Sequence, residues 1–401
     1  PRTLYPGNKA IMIPYGKHFI DEDDIKSVVD VLRNGPLTQG PKVKEFENKI
    51  SRYVGSKYAV AVASCTAGLH IALQCANLKR TDYLVTSPIT FVSSANASFY
   101  VNSKIDFVDI ERETINLSPK SLKETINKNK DIKAVMPVHF SGLPCKMDEI
   151  SEIAKSSNLF VIEDAAHALG ATYKDGSKVG NCKYSDATVF SFHPVKAISA
   201  GEGGMITTNN EEIYKRLLRL RSHGINKSND GFINLSTEDI NNKDNPWYYE
   251  MQELGYHFRI SDIQCALALS QLKKLDKFIK RRKELVARYD TFFENNELIK
   301  PIQISGRKFS AHHLYVVEID FQKLQMSRGS FMKNLKKRNI ITQVHYIPVS
   351  NHPFYLEIGF NPNEYPLSQQ YYKKALSLPL YYSLKNSEQD YVMEQITNLL
   401  K

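Results

Sequence analysis

The chain has 401 residues, of which 42% are hydrophobic and 24% are charged, a composition typical of folded soluble proteins. Its length predicts a large domain with a smaller one attached, and the lack of any apolar run of about 18 residues excludes a transmembrane helix. The net charge of +10 raises the alternative of nucleic-acid binding, but no zinc finger, RNP signature or arginine-rich arm accompanies it.

The N-terminal residues 1–11 precede the first methionine, Met12, and lack the apolar core of a signal peptide. We interpret them as the remnant of an expression tag. The cysteines are odd in number and scattered, so we expect neither a disulfide framework nor a zinc or other metal site, and a reducing cytoplasm fits. They are Cys65, Cys75, Cys145, Cys182 and Cys265.

Short apolar runs alternate with helical patterns between residues 58 and 208. Crossover helices are predicted at Thr66–Leu78 and Ser118–Asn129. Because short, nearly continuous apolar strands joined by helices are typical of a mainly parallel sheet covered on both faces, the fold class is α/β. The predicted strands are Tyr58–Ser64, Lys104–Ile110, Ile132–Phe140, Leu159–Ala165, Ala187–Phe192 and Gly204–Thr208.

The pattern changes near residue 271, so we predict a large domain over 12–270 and a smaller α+β domain over 271–401. Its basic stretch Gln271–Tyr289 has apolar residues at helical spacing, which favours one amphipathic helix with a solvated basic face over a nucleic-acid site. The polar segment Asn226–Asn245 predicts a long surface loop. The later segments are His312–Asp320, helical Phe331–Arg338, Thr342–Val349 and a final helix near Ser387–Leu400.

Chemically useful side chains follow three of the predicted strands, where ligands collect in parallel sheets. Asp164 ends one strand, Ser191 ends another and Lys196 follows it. Thr66 and Ala67 begin a helix, and a helix N-terminus binds anions. A phosphate cradle, an acid for a ring nitrogen and a lysine amine are together what pyridoxal phosphate (PLP) requires. Taken singly, each feature also fits a surface charge, a helix cap or a turn.

Several motifs occur together and in the order seen in the DegT/DnrJ family of sugar aminotransferases, which the sequence resembles from about Ile13 to its C-terminus. Within the family, it is most similar to the transaminases of the pseudaminic acid pathway. The motifs are GPLTQGPKVKEFE (Gly35–Glu47), SPITFVSSANA (Ser87–Ala97), EDAAHALGA (Glu163–Ala171), SFHPVKAISAGEGG (Ser191–Gly204), SHGI (Ser222–Ile225), GYHFRISDIQCALALSQL (Gly255–Leu272) and VHYIPV (Val344–Val349).

This resemblance implies a type I PLP-dependent transferase fold and PLP as cofactor, cycling through pyridoxamine phosphate. Lys196 would hold the cofactor covalently, Asp164 would pair with its ring nitrogen and Phe91 would stack on the ring. His167, where many members have Gln, would lie near the phenolic oxygen. The phosphate would be bound by Thr66, Ala67 and Ser191.

The resemblance also implies a homodimer whose active sites are shared between subunits. His257 and Arg259 would come from the neighbouring subunit, His257 toward the cofactor phosphate and Arg259 toward the substrate. The sugar-nucleotide contacts would include Tyr15, Thr38, His345 and Tyr346.

Three positions depart from the usual family pattern. Cys65 replaces a glycine in the phosphate turn, His257 replaces an asparagine, and SAGEGG replaces TTGEGG after the lysine motif. The first two put the usual phosphate contacts in doubt, and a protonated His257 could take over the asparagine's role.

The function that the resemblance implies is transfer of an amino group from glutamate to the 4-keto group of a UDP-linked 6-deoxy-sugar. Three alternatives stay open: another nucleotide keto-sugar (dTDP- or GDP-linked, 3- or 4-keto), a PLP sugar dehydratase or isomerase, and a DNA-binding regulator built on a PLP fold. Lys196 argues against the dehydratase branch, which has His there. No spare segment exists for the helix-turn-helix of a regulator, so we expect neither a nucleic-acid nor a membrane partner.

Overall fold

The computed structural model describes residues 12–227, 231–233 and 246–400. Residues 1–11 and most of the predicted loop 226–245 lie outside the described residues, so the two interpretations that concern them stay predictions. The helices are α1 Glu22–Asn34, α2 Pro41–Val54, α3 Cys65–Gln74, α4 Val92–Tyr100, α5 Pro119–Lys128, α6 Met147–Ser156, α7 Glu211–Arg221, α8 Asp262–Leu272, α9 Leu275–Phe293, α10 Arg328–Lys337, α11 Pro353–Glu357, α12 Pro366–Lys374 and α13 Asn386–Leu400.

Seven strands form one large sheet in the order β1-β7-β6-β5-β4-β2-β3. Neighbours are parallel except at β7, which runs antiparallel to both β1 and β6. The predicted α/β class and mainly parallel sheet are therefore confirmed. The strands are β1 Tyr58–Val62, β2 Tyr83–Thr86, β3 Lys104–Phe107, β4 Ile132–Met136, β5 Phe160–Asp164, β6 Ala187–Ser191 and β7 Gly204–Thr208.

Successive residues of the central strands enter two different hydrophobic clusters, one on each face of the sheet. Val161 and Phe190 lie in one cluster, while Ile162 and Val189 lie in the other. Because side chains alternate across a strand and helices cover both faces, almost every residue must be apolar, which explains the continuous hydrophobic runs. All six predicted strands are present, β7 with its predicted bounds and the other five shortened, and β2 was not predicted.

A second, three-stranded antiparallel sheet lies toward the C-terminus, in the order β10-β11-β12. Its strands are Ile299–Pro301, Tyr315–Ile319 and Ala375–Leu378, and Ile225–Asn226 and Glu250–Met251 form a separate pair, β8 and β9. A third cluster of buried residues contains side chains of α9, β11 and α13 together with Ile13. Since this cluster recruits a residue from the other end of the chain, the domain boundary at residue 270 stays a prediction.

The helix predicted over Gln271–Tyr289 is present as α9, but its predicted start is wrong, because α8 ends at Leu272 and α9 begins at Leu275. Side chains beside the break are anchored to the start of α1: Lys274 Nζ lies 3.0 Å from Asp24 Oδ1, and Gln271 Nε2 donates to Asp24 Oδ2 at 2.7 Å. These are long-range contacts, and the apolar spacing continues across the break without revealing them.

The segment Thr342–Val349 forms no strand within the described part of the chain. It makes only one bridge, between Gln343 and Ser377 of β12, and the small sheet consists of β10, β11 and β12. Among the described residues, no helix is long and apolar enough to cross a membrane, and no group of His, Cys, Asp or Glu is arranged to hold a metal. All five cysteines are unpaired thiols.

Candidate active site

A cavity of about 430 Å³ opens at the carboxyl ends of β1, β5 and β6. This is where a parallel sheet presents the helix N-termini and loops that bind ligands, and the volume is in the range of small-molecule sites. Nine of the residues singled out in the sequence line it: Tyr15, Thr66, Phe91, Asp164, His167, Ser191, Lys196, His345 and Tyr346.

Asp164 is the last residue of β5, and its buried carboxylate is held in place by two donors. Ser94 Oγ donates to Oδ2 at 2.6 Å, and the Ala166 N–H donates to Oδ1 at 3.1 Å. The Thr90 hydroxyl lies 2.7 Å from Ser94 Oγ and extends the network. A fixed carboxylate at the edge of a cavity can pair with a cationic nitrogen of a ligand.

The N-terminus of α3 supplies free backbone donors at the same cavity. Ser64 caps the helix by accepting from the Ala67 N–H at 3.1 Å, so the N–H groups of Cys65 and Thr66 are without a protein acceptor among the described residues. Gly204 of β7 lies so close that a Cβ there would come within 2.6 Å of the Ser64 carbonyl. The geometry therefore suits an anion at Thr66, whereas the predicted donor Ala67 already serves the cap and does not line the cavity.

Lys196 lies on the turn after β6, where its N–H donates to the His193 carbonyl at 2.9 Å. Burial lowers the pKa of Lys196 to about 8, although Cys65 and Asp164 act in the opposite direction. An amine with this pKa is partly neutral near physiological pH and can act as a nucleophile or a base. Ser191, the last residue of β6, is buried beside it, and its Oγ accepts from the His193 N–H at 3.4 Å.

Aromatic side chains form the opposite wall of the cavity. Phe91 is 58% exposed despite its apolar ring, lies at the N-cap of α4, and its centroid is 6.4 Å from that of Tyr346. Its uncovered face is available for a flat ligand. Tyr15 and His345 lie 5.4 Å apart between ring centroids, and burial lowers the pKa of His345 to about 3, so that imidazole is neutral.

Thr38, His257 and Arg259 do not line this cavity. Thr38 bridges to Ser261 at the start of α8, and Arg259 lines a separate depression of about 320 Å³ together with Lys44 and Arg221. His257 is exposed, and its ring lies 5.4 Å from that of His223. Their contribution to a site shared between subunits stays a prediction.

Among the residues that were not assigned a role in the sequence, Thr90, Glu202 and His313 line the cavity, and Ser94 contacts the Asp164 carboxylate. The rings of His313 and His167 lie 4.3 Å apart between centroids. Ser94 could have been predicted from the sequence, because it lies three residues after Phe91, and a helix that begins there would bring both residues to the same end of the sheet. His313 could not, since it comes from a segment far away in sequence.

The residues present fit PLP. An amine of lowered pKa, a fixed carboxylate, free helix N–H groups and an exposed aromatic face all meet in one cavity, and each matches a different part of that cofactor. The arrangement also holds no group of metal-binding side chains among the described residues.

The sequence profile of the DegT/DnrJ/EryC1/StrS aminotransferase family matches residues 18–397. The chain belongs to this family. Among curated relatives, the spore coat polysaccharide biosynthesis protein SpsC of Bacillus subtilis is 40% identical over 97% of each chain. A UDP-4-amino-4,6-dideoxy-N-acetyl-beta-L-altrosamine transaminase of Campylobacter jejuni is 36% identical over 97% of this chain and 98% of its own length.

Solved aminotransferase structures share the whole fold. Helicobacter pylori PseC, described as an aminotransferase of pseudaminic acid biosynthesis, superposes with a TM-score of 0.87 at 27% identity, covering 97% of this chain and 99% of PseC. The PLP form of Spr1654, a putative sugar aminotransferase of Streptococcus pneumoniae, gives a TM-score of 0.84 at 28% identity and covers 97% of this chain and 98% of its own. The predicted PLP-dependent transferase fold and aminotransferase family are confirmed.

Proposed function

We propose that this aminotransferase uses PLP bound through Lys196 and transfers an amino group from glutamate to the 4-keto group of a UDP-linked 6-deoxy-2-acetamido-sugar. The observation that carries the proposal is that Lys196 and Asp164 line one cavity together with the N-terminus of α3. Spr1654, which shares the fold, is known in a PLP form and a PMP form, and this supports the cofactor assignment.

The cofactor, when bound, supplies an electron sink for the carbon that loses its proton. The Asp164 carboxylate keeps a ring nitrogen protonated through a charge-assisted hydrogen bond. The N–H groups at the start of α3, together with Ser191, hold the phosphate. Lys196 Nζ would take the proton from the amino-acid α-carbon and return it to the carbon on the other side of the transferred nitrogen, and a pKa of about 8 suits both directions of that transfer.

The sugar-nucleotide would be bound by residues of two subunits. Tyr15, His345 and Tyr346 line the cavity from within the chain, whereas Thr38 and Arg259 lie outside it. A homodimer that brings the partner's Thr38 and the partner's Arg259 to this cavity would supply a guanidinium for the diphosphate. The partner's His257 would take the role of the missing asparagine toward the cofactor phosphate.

The choice of sugar rests on the named relatives. The transaminase from Campylobacter jejuni and PseC from Helicobacter pylori support a UDP-linked 4-keto-6-deoxy-sugar. A second candidate is another nucleotide-linked keto-sugar, because SpsC, at 40% identity, is named for spore coat polysaccharide biosynthesis and not for an altrosamine derivative. The unpaired thiols of all five cysteines fit action in a reducing cytoplasm.

The test is to give the purified enzyme glutamate with one of two substrates, the UDP-linked 4-keto-6-deoxy-2-acetamido-sugar or a dTDP-linked 4-keto-6-deoxy-sugar, and to measure 2-oxoglutarate. We expect faster formation of 2-oxoglutarate with the UDP-sugar and a new amino-sugar nucleotide in the mass spectrum. Preference for the dTDP-sugar would support the second candidate. Loss of water from the sugar without consumption of glutamate would contradict the transaminase assignment.

A further inference from the structure

Arg282 of α9 is a buried cation that has no carboxylate partner among the described residues. Its side chain belongs to a residue that is only 4% exposed, and burial lowers its pKa to about 10 with no acidic group acting in the opposite direction. Because an uncompensated charge is costly to bury, a cation in this position calls for a partner that the described chain does not supply.

Within the described part of the chain, only one of the three guanidinium nitrogens of Arg282 is hydrogen-bonded. Nη1 donates to the carbonyls of Leu380 at 3.0 Å, His313 at 3.1 Å and His312 at 3.4 Å. Nε has no partner, and no described residue accepts from Nη2. The Nε–H and one Nη2–H lie side by side along one edge of the planar group, so this edge is free to bind an acceptor.

Arg282 lines a small cavity between separate parts of the chain, which we call the Arg282 cavity. Its walls include residues of the N-terminal segment 17–19, residues of the segment 194–199 that carries Lys196, and Phe278 of α9. Its volume of about 10 Å³ is the space that one water-sized occupant needs. A monatomic ion is therefore the class of anion that suits it, whereas a phosphate or carboxylate group is too large.

The described walls of the Arg282 cavity carry basic side chains and no acidic one. Lys17, His18 and Lys196 line it beside Arg282, and no Asp or Glu does. Ser199, which is buried in the same wall, accepts from the Gly201 N–H at 3.2 Å through its Oγ, so its hydroxyl hydrogen remains available as a donor. The cavity thus offers hydrogen-bond donors and positive charge to whatever occupies it.

We propose that the Arg282 cavity binds a chloride ion on the Nε–Nη2 edge of the guanidinium. A water molecule could accept the same hydrogen bonds, but it carries no charge, and the basic wall attracts an anion more strongly at low dielectric constant. The ion links α9 to the segment that carries Lys196, and it therefore stabilises the folded enzyme. This site is separate from the anion site at the N-terminus of α3, and it goes beyond the proposed function.

The position of the ion can be tested with bromide, which replaces chloride and is located by its anomalous scattering. In crystals of the holoenzyme grown in sodium bromide, we expect an anomalous peak within hydrogen-bonding distance of both Nε and Nη2 of Arg282. Electron density at that place without an anomalous signal would identify a water molecule and overturn the proposal. An empty cavity would overturn it as well.

Binding in solution is tested by thermal unfolding of the holoenzyme at constant ionic strength, with sodium chloride replacing sodium methanesulfonate, whose anion is too large for the cavity. We expect Tm to rise with chloride and to saturate, by about 3 °C at a hundredfold excess over Kd.

Two variants show whether Arg282 is the residue responsible for this rise. The rise should vanish in Arg282→Met and persist in the matched control Arg281→Met, because Arg281 donates to the Leu384 carbonyl and to Asn386 instead. A wild type that does not respond, or an equal rise in Arg282→Met, would overturn the proposal. If Arg282→Met does not fold, the bromide position in the wild type decides. Neither measurement uses turnover, so failure of the proposed function would leave both results valid.

Discussion

Ser94 Oγ donates a 2.6 Å hydrogen bond to Oδ2 of Asp164. Serine is the first-turn residue of α4, and aspartate is the last residue of β5, so the bond joins two elements that meet at the carboxyl edge of the sheet. The carboxylate that it holds also lines the cavity. The position of the acid therefore depends on a neighbour 70 residues away in sequence.

Replacing Ser94 by alanine should weaken cofactor binding. Ser94→Ala removes a charge-assisted hydrogen bond, which contributes about 1.5–3 kcal/mol, so we expect the PLP dissociation constant to rise roughly tenfold or more in a fluorescence titration of the apoenzyme. The matched control is Ser98→Ala, because Ser98 is buried on the same helix and its Oγ donates only to the Ala95 carbonyl. Equal PLP affinity in the two variants would refute the role of Ser94.

Because of its lowered pKa, Lys196 in the apoenzyme should react with acylating reagents at a lower pH than ordinary lysines. Burial lowers that pKa to about 8, so a neutral amine is available at pH values where ordinary lysines are charged. We expect acylation of Lys196 to reach half its maximal rate near pH 8, measured by mass spectrometry of labelled peptides. Lys183 is the comparison, because its hydrogen bond to Asp175 raises its pKa. If acylation of Lys196 required a pH as high as acylation of Lys183, the result would contradict the site geometry.

Glu163 should make the protein sensitive to acid. Burial alone would raise its pKa, but hydrogen bonds from His139, Ser185 and Tyr173 outweigh burial and hold it below the usual 4.5. A carboxyl whose pKa is depressed by folding contributes stability above its unfolded pKa, and that stability is lost as the pH falls through the folded value.

Glu163→Gln should therefore lower the free energy of unfolding by about 1–3 kcal/mol at neutral pH. The difference from the wild type should shrink as the pH falls below about 4.5, which urea titrations at several pH values would measure. Glu124→Gln, at an exposed position on α5, is the control and should show no such convergence. A constant difference at all pH values would mean that the charge of Glu163 is not what stabilises the fold.

A shared active site should allow complementation between two inactive variants. If Arg259 serves the partner's site, a mixed dimer of Lys196→Ala and Arg259→Ala subunits contains one site with both residues intact. We expect part of the 2-oxoglutarate production to return after subunit exchange, provided that each variant alone is strongly impaired. Mixed dimers verified by mass spectrometry that remain inactive would show that Arg259 acts within its own chain.

Much of the fold was predictable because the central strands are buried on both faces and leave continuous apolar runs in the sequence. β2 was not predicted, because it has only four residues, begins with a half-buried tyrosine and is followed by the polar-rich SPIT segment. The break between α8 and α9 was not predicted either. It depends on contacts of Gln271 and Lys274 with α1, and the spacing of apolar residues does not reveal such long-range contacts.

The site was predictable where its residues end strands or begin helices, as Asp164, Ser191 and Thr66 do, because the topology then brings them to one edge. The orientation of His167 was not, since it is set by a backbone N–H on a separate turn. The presence of His313 at the cavity could not be predicted either, because its segment, just before β11, is far in sequence from the strands that form the rest of the site.

The most direct measurement for the central claim is the mass of the peptide containing Lys196 after borohydride reduction of the holoenzyme, with and without prior addition of glutamate. Reduction alone should fix the cofactor to Lys196. Glutamate added first should leave that peptide unmodified and release pyridoxamine phosphate. Attachment to a different lysine, or attachment to Lys196 that glutamate does not prevent, would contradict the assignment of a PLP-dependent aminotransferase with Lys196 at its centre.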